Sequence, residues 1–161
     1  TLSDDFAASG RVILNGRDIT DLAPEQRRVG ILFQDELLFP HLSVGENLAF
    51  GLRATVKGRA ERKSQIEAAL DDIGLNGFAS RDPETLSGGQ KARVALMRML
   101  LSGPQALLLD EPFSRLDTER RDQVRSLVFD RARSKGLPVL LVTHDHADAK
   151  AAGGRVHTLS D

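Results

Sequence analysis

Short apolar runs alternate along this chain with longer stretches in which apolar residues recur every three or four positions. Runs of the first kind predict strands and stretches of the second kind predict helices. Residues 11–16 form an apolar run closed by Asn15-Gly16, the signal for a strand entering a tight turn. Residues 29–33 are uniformly apolar and predict a second strand, buried on both faces. One helix is expected over 43–52 and another over 61–73. In the latter Ile66, Ala69, Leu70 and Ile73 share one face, and Gly74 supplies a stop.

Beyond Leu86-Ser87-Gly88-Gly89-Gln90, the spacing of Val94, Met97 and Leu101 predicts a helix that Gly103-Pro104 ends. A second alternating block follows. Residues 106–109 read as a buried strand, and Val124, Leu127, Val128 and Ala132 mark a helix. Residues 139–142 read as another buried strand, and 155–159 as a last one. Strand, helix, strand in this order implies right-handed crossovers and an α/β fold, a parallel sheet with helices on its faces. The helix-rich middle is expected to be a lobe inserted into that sheet: residues 1–40 and 102–161 form the sheet core, and about 41–101 the helical subdomain.

With 161 residues, 40% of them hydrophobic, the chain can bury one core and is short for two domains. Its 22 basic and 23 acidic side chains leave a net charge of −1, which gives no reason to expect a nucleic-acid partner. Basic residues occur mixed with acidic ones, as in Arg59-Ala60-Glu61-Arg62-Lys63, which reads as a solvated helix face. Without cysteine there is neither a disulfide framework nor a thiolate metal site. No apolar run approaches the roughly 18 residues of a membrane span, and Thr1-Leu2-Ser3-Asp4-Asp5 is not a signal peptide, so any membrane role is expected to be peripheral.

Open parallel sheets bind ligands beyond the carboxyl ends of their strands. Three predicted strands deliver polar groups there: Gln34 after the first, Asp110 and Glu111 after the second, Thr143-His144-Asp145 after the third. An aspartate such as Asp110 can hold Mg²⁺ directly or through its waters. Glu111 can orient and deprotonate an attacking water, His144 can hydrogen-bond a γ-phosphate oxygen, and Gln34 can hold the water or the cation's hydration shell. Ser87, Gly88 and Gly89 open a helix, whose N-terminus suits an anion. Each residue also has a plain structural reading. Asp-Glu can be a strand end meeting solvent, His144 a helix-start residue beside a capping Asp145, and Ser87 and Asp117 ordinary N-caps.

Taken together these residues resemble the nucleotide-binding subunits of ATP-binding cassette transporters. Leu86-Ser87-Gly88-Gly89-Gln90 is similar to that family's signature sequence, and Leu107-Leu108-Leu109-Asp110-Glu111-Pro112 to its Walker B strand with the catalytic glutamate. Ser114-Arg115-Leu116-Asp117 looks like the D-loop, Thr143-His144-Asp145 like the switch histidine, and Phe33-Gln34 like the Q-loop. The segment from Leu38 to Leu48 resembles the importer branch that serves thiamine, ferric iron, sulfate, polyamines or sugars. There the surface after the Q-loop receives a coupling helix of the membrane subunit; Leu37, Leu38 and Phe39 are either its apolar contacts or core residues.

The resemblance implies a P-loop NTPase-like, mostly parallel sheet with an inserted helical subdomain, and an ATPase using ATP and Mg²⁺. It implies catalytic roles for Glu111, His144 and Gln34, cation binding by Asp110 and Gln34, and nucleotide contacts from Ser87, Gly88, Gly89, Gln90 and Asp117. It further implies a head-to-tail homodimer in which the signature of one subunit closes over the triphosphate of the other, transmembrane permease partners, and a place on the cytoplasmic face of the membrane. One departure stands out: no G-x-x-x-x-G-K-[ST] loop occurs in the chain. The family's phosphate loop is expected to precede Thr1, and residues 1–161 alone are expected to bind ATP weakly and hydrolyse it negligibly. Two other function classes remain open: a catalytically silent nucleotide-binding or regulatory half, and a DNA-repair type of ABC ATPase.

Overall fold

A computed structural model describes residues 9–33 and 38–158. The first element is a two-stranded antiparallel hairpin, β1 (Ile13–Leu14) and β2 (Arg17–Asp18). Its turn is Asn15-Gly16, both with positive φ (51° and 77°), as the favoured two-residue hairpin loop requires. The return strand β2 and the four-residue helix α1 (Pro24–Arg27) that follows carry no periodic signal and were not legible in the pattern.

The central sheet contains β3 (Val29–Leu32), β4 (Ala106–Asp110) and β5 (Val139–Val142) in the order β3-β4-β5, all parallel. Leu32 pairs with Leu109, and Asp110 with Val142, so the carboxyl ends of all three strands lie along one edge. Leu32, Leu107 and Leu109 are buried, and each such side chain contributes about 1.5–3 kcal/mol relative to exposure.

The expectation that these strands are buried on both faces is corrected. Ile31, Leu108 and Leu140 occupy one register line on the other face and are exposed; Leu140 is 64% and Val142 55% exposed. An apolar run looks the same whether one face or both are covered, and among the described residues nothing packs over this side. The strand expected over 155–159 is likewise absent in the described part of that segment. Gly153 closes the preceding helix in the left-handed region, and Arg155 to Thr158 run exposed without ladder partners.

Three helices pack on the buried side between β3 and β4: α2 (Val44–Gly51), α3 (Arg59–Asp72) and α4 (Gly88–Leu101), with a single 3-10 turn at Pro83–Thr85. Ser43 and Ser87 open α2 and α4 with the same device. Each hydroxyl accepts from the backbone N–H three residues on, and the Glu46 or Gln90 side chain accepts from the serine's own N–H at 2.8 and 2.9 Å. The helix α2 lies so close to α4 that a Cβ on Gly51 would stand 2.2 Å from the Arg98 carbonyl oxygen. As expected from the spacing, Ala69, Leu70 and Ile73 are buried, and Gly74 follows α3 at φ 64°. One continuous apolar cluster joins Leu48, Leu70 and Leu96 to Leu107, Phe113 and Val124. Helices α5 (Thr118–Ser134) and α6 (His146–Ala152) complete the described chain.

Candidate functional site

The carboxyl edge of the sheet holds the site. Directly after β4 the backbone of Glu111 turns into the left-handed region at φ 46°. Such strain in a non-glycine residue costs of order 1 kcal/mol and collects at functional sites. Here it is held by the surroundings: Glu111 N–H donates to Val142 O at 3.0 Å, and Glu111 O accepts from the Ser114 hydroxyl at 2.9 Å. The turn aims the carboxylate across to the end of β5, where Oε1 lies 2.6 Å from His144 Nδ1 and accepts the His144 backbone N–H at 2.9 Å. This contact is a hydrogen bond between the ring and the carboxylate, and which of the two ring nitrogens carries a proton follows from the tautomer. The His144 side chain is 81% exposed and that of Glu111 only 19%.

Asp110, the last residue of β4, is exposed, and among the described residues its carboxylate has no hydrogen-bond partner. Mg²⁺ is usually held by one or two carboxylates together with waters and substrate phosphates. A single uncommitted carboxylate at a strand end therefore fits that ion; the described residues contain no cluster of three or more metal-ligating side chains.

At the start of α4 the capping box consumes the Gln90 side-chain carbonyl, so Gln90 acts first on its own turn. The Ser87 hydroxyl accepts from Gln90 N–H at 3.3 Å and keeps its own proton to donate. Gly88 and Gly89 leave the first helical N–H groups directed outward, which makes a positive helix end. Gly89 also passes close to the segment after Glu111, where an added Cβ would be 2.9 Å from Arg115 O. Asp117 caps α5 through Arg120 N–H at 3.0 Å.

Arginines that the sequence reading did not single out brace these parts. Arg93, 7% exposed, donates to Ile73 O at the end of α3 and to Gly89 O; burial lowers its pKa from the ordinary arginine value, with Arg120 adding to the effect. Arg125 reaches from α5 to the buried Asp148 of α6 at 2.9 Å, and this hydrogen bond raises its pKa. Arg121 bonds to Phe113 O, Ser114 O and the Asp145 carboxylate. Arg121, Val124 and Val128 follow helical spacing, so a cation on an apolar stripe was the available signal.

The family model described as ABC transporter matches residues 2–114. The chain belongs to the ABC transporter family. It is 52% identical over 150 residues to the uncharacterized ABC transporter ATP-binding protein YnjD of Escherichia coli (strain K12), covering 93% of this chain and 69% of that protein. It is 50% identical over 135 residues to the thiamine import ATP-binding protein ThiQ of Histophilus somni (strain 129Pt), covering 84% of this chain and 63% of that one. To the sulfate/thiosulfate import ATP-binding protein CysA of Mycobacterium bovis it is 41% identical over 151 residues, 94% of this chain but 43% of the relative. Among solved structures, the dimeric post-hydrolysis state of the ATP-binding cassette MJ0796 bound to ADP and Pi superposes with a TM-score of 0.76 at 32% identity. That match covers 89% of this chain and 66% of the other. The chain thus spans only part of the length of these relatives.

Of the ABC site residues expected from the sequence, the structure brings Glu111 and His144 into contact and sets Asp110 beside them on β4. Ser87, Gly88, Gly89 and Gln90 form one capped helix start, and Asp117 a second. Gln34 and Leu37 lie outside the described residues. Leu38 packs against the core, whereas Phe39 makes an edge contact with Phe50 at 4.7 Å and carries the Arg98 guanidinium over its ring.

Proposed function

We propose that this chain is the ATP-hydrolysing part of the nucleotide-binding subunit of an importer for a small solute or ion. The observation that carries the reading is the contact between Glu111 and His144 at the edge where β4 and β5 end. Phosphoryl transfer needs positioning and charge stabilisation more than covalent chemistry. Glu111, fixed by its strained backbone and by His144, orients the attacking water and takes its proton. His144 donates a ring N–H to a γ-phosphate oxygen, and Gln34 helps to place the water. Asp110 would hold Mg²⁺, whose charge would offset that of the transferring phosphoryl group.

The signature turn from Ser87 to Gln90 faces the triphosphate of a second copy, so the working form is a head-to-tail homodimer with Asp117 near the same interface. Support comes from the outward N–H groups of Gly88 and Gly89 and from the dimeric cassette that this chain resembles. Relatives named for thiamine, sulfate/thiosulfate and spermidine/putrescine import favour the importer branch over DNA repair. The permease docks on the exposed Phe50 and its neighbour Phe39, at the start of the helical part at about 41–101. No described helix is long and apolar enough to cross a membrane, and a peripheral place on the cytoplasmic face follows from the permease contact.

The decisive experiment is Glu111→Gln in the full-length protein. Turnover should fall by roughly 10²–10⁴-fold, the range for losing a general base, while ATP affinity by equilibrium titration is retained. Full activity in the variant refutes the assignment.

A further inference from the structure

We propose that Arg121 is a positioning residue, which holds the loop carrying His144 in register with the segment that follows Glu111. The inference rests on Glu111 being the general base. Arg121 lies one turn into α5 with its side chain 26% exposed, and it spends its whole fork on three acceptors. Nε donates to Phe113 O at 3.0 Å, Nη2 to Ser114 O at 3.3 Å, and Nη1 to Asp145 Oδ2 at 2.8 Å. The first two acceptors are the second and third residues after Glu111. The third is the residue after His144.

Each end of this bridge is stiff. The Phe113 ring is fully buried and meets Phe129 edge-on at 5.8 Å, so its carbonyl is a fixed point. Asp145 uses its other oxygen to cap α6 through Ala147 N–H at 2.7 Å, and its own N–H bonds the Thr143 hydroxyl at 3.1 Å. Displacing Asp145 therefore displaces His144, whose backbone N–H and Nδ1 both end on Glu111 Oε1. The two halves of the catalytic contact arise on different strands, and Arg121 ties the loops behind them to a third element. Lysine cannot substitute, because a single ammonium on a flexible stem does not span three acceptors in one plane.

The test uses the full-length protein carrying Arg121→Ala, Arg121→Lys or the milder Asp145→Asn, each with native Glu111 and with Glu111→Gln. With native Glu111, kcat should fall roughly 10- to 100-fold in all three variants, the size expected for misplacing a catalytic group from a distance. KM for ATP should stay within about twofold, since substrate binding is not what is lost. Asp145→Asn should add little to Arg121→Ala. In the Glu111→Gln background the same changes should cost clearly less than with native Glu111, because no base is left to position and only the His144 contact with the phosphate remains to be disturbed. An unchanged kcat in Arg121→Ala and Asp145→Asn overturns the proposal, as does an equal loss in both backgrounds. Failure of the base assignment shows separately, as full activity of Glu111→Gln before Arg121 is touched.

Discussion

Gly89 lies so close to Arg115 that a β-carbon on it would stand 2.9 Å from the Arg115 carbonyl oxygen. The close approach is made within one chain. In an ordinary helix, glycine to alanine gains about 0.5–1 kcal/mol. Here the neighbour is backbone and cannot turn aside, so Gly89→Ala is expected to lose about 1–3 kcal/mol, the usual cost of overpacking. The urea midpoint measures it, and a rise in the midpoint refutes the approach.

His144 supplies the opposite case. Its side chain is largely exposed and touches little besides Glu111. His144→Ala should therefore change stability by no more than about 0.5 kcal/mol, as for most surface substitutions. ATP turnover of the full-length protein should nevertheless fall on the order of 10²-fold, the contribution of a positioned hydrogen-bond donor to the transferring group. Thermal melting and a steady-state assay on one preparation separate the two effects.

Asn47 is fully buried and holds the loop that leads into α2. Its amide oxygen accepts from Phe39 N–H at 2.9 Å and from Arg98 Nη1 at 3.2 Å. Its nitrogen lies 3.1 Å from the carbonyls of Phe39, Leu42 and Ser43. Asn47→Ala strips these groups of their partner, and each unsatisfied buried group costs about 1–3 kcal/mol. We expect a loss of about 2–3 kcal/mol by chemical denaturation and faster amide exchange at Phe39.

The Asp145 carboxyl is held below the usual carboxylate range, first by the Ala147 N–H, then by the Asp148 N–H and the charges of Arg121 and Arg125, with partial burial opposing them. A group whose pKa is lower when folded contributes stability that is complete above its unfolded value. That stability drains away as pH falls through the folded value. Asp145→Asn removes this contribution, so the gap in unfolding free energy between variant and native protein should narrow on acidification through that window. A gap independent of pH refutes the assignment. Asp18 and Glu46 are lowered in the same direction but are common to both proteins.

The elements with a repeating face were legible from the residues alone. Ile66, Ala69, Leu70 and Ile73 mark α3, and Asn15-Gly16 marks the hairpin turn, because each states its geometry locally. The placing of Asp110, Glu111 and His144 at one edge also followed, since parallel strands share a carboxyl end. The open face through Ile31, Leu108 and Leu140 did not, because burial depends on what else packs there. Arg121 escaped for a related reason: two of its acceptors are backbone carbonyls, which have no letter in a sequence. The brace from Arg125 to Asp148 joins residues 23 positions apart, and local pattern does not report such pairs.

Strand β4 is the middle member of its sheet, bonded to β3 on one flank and β5 on the other. A strand clasped on both sides does not slide or fray without breaking two ladders at once, and its amides are expected to exchange late. Asp110 therefore ends, and Glu111 directly follows, the strand that is bonded on both flanks. A second copy closing over this edge would therefore meet a pair of carboxylates already fixed in place, as a jaw meets a tooth that does not move.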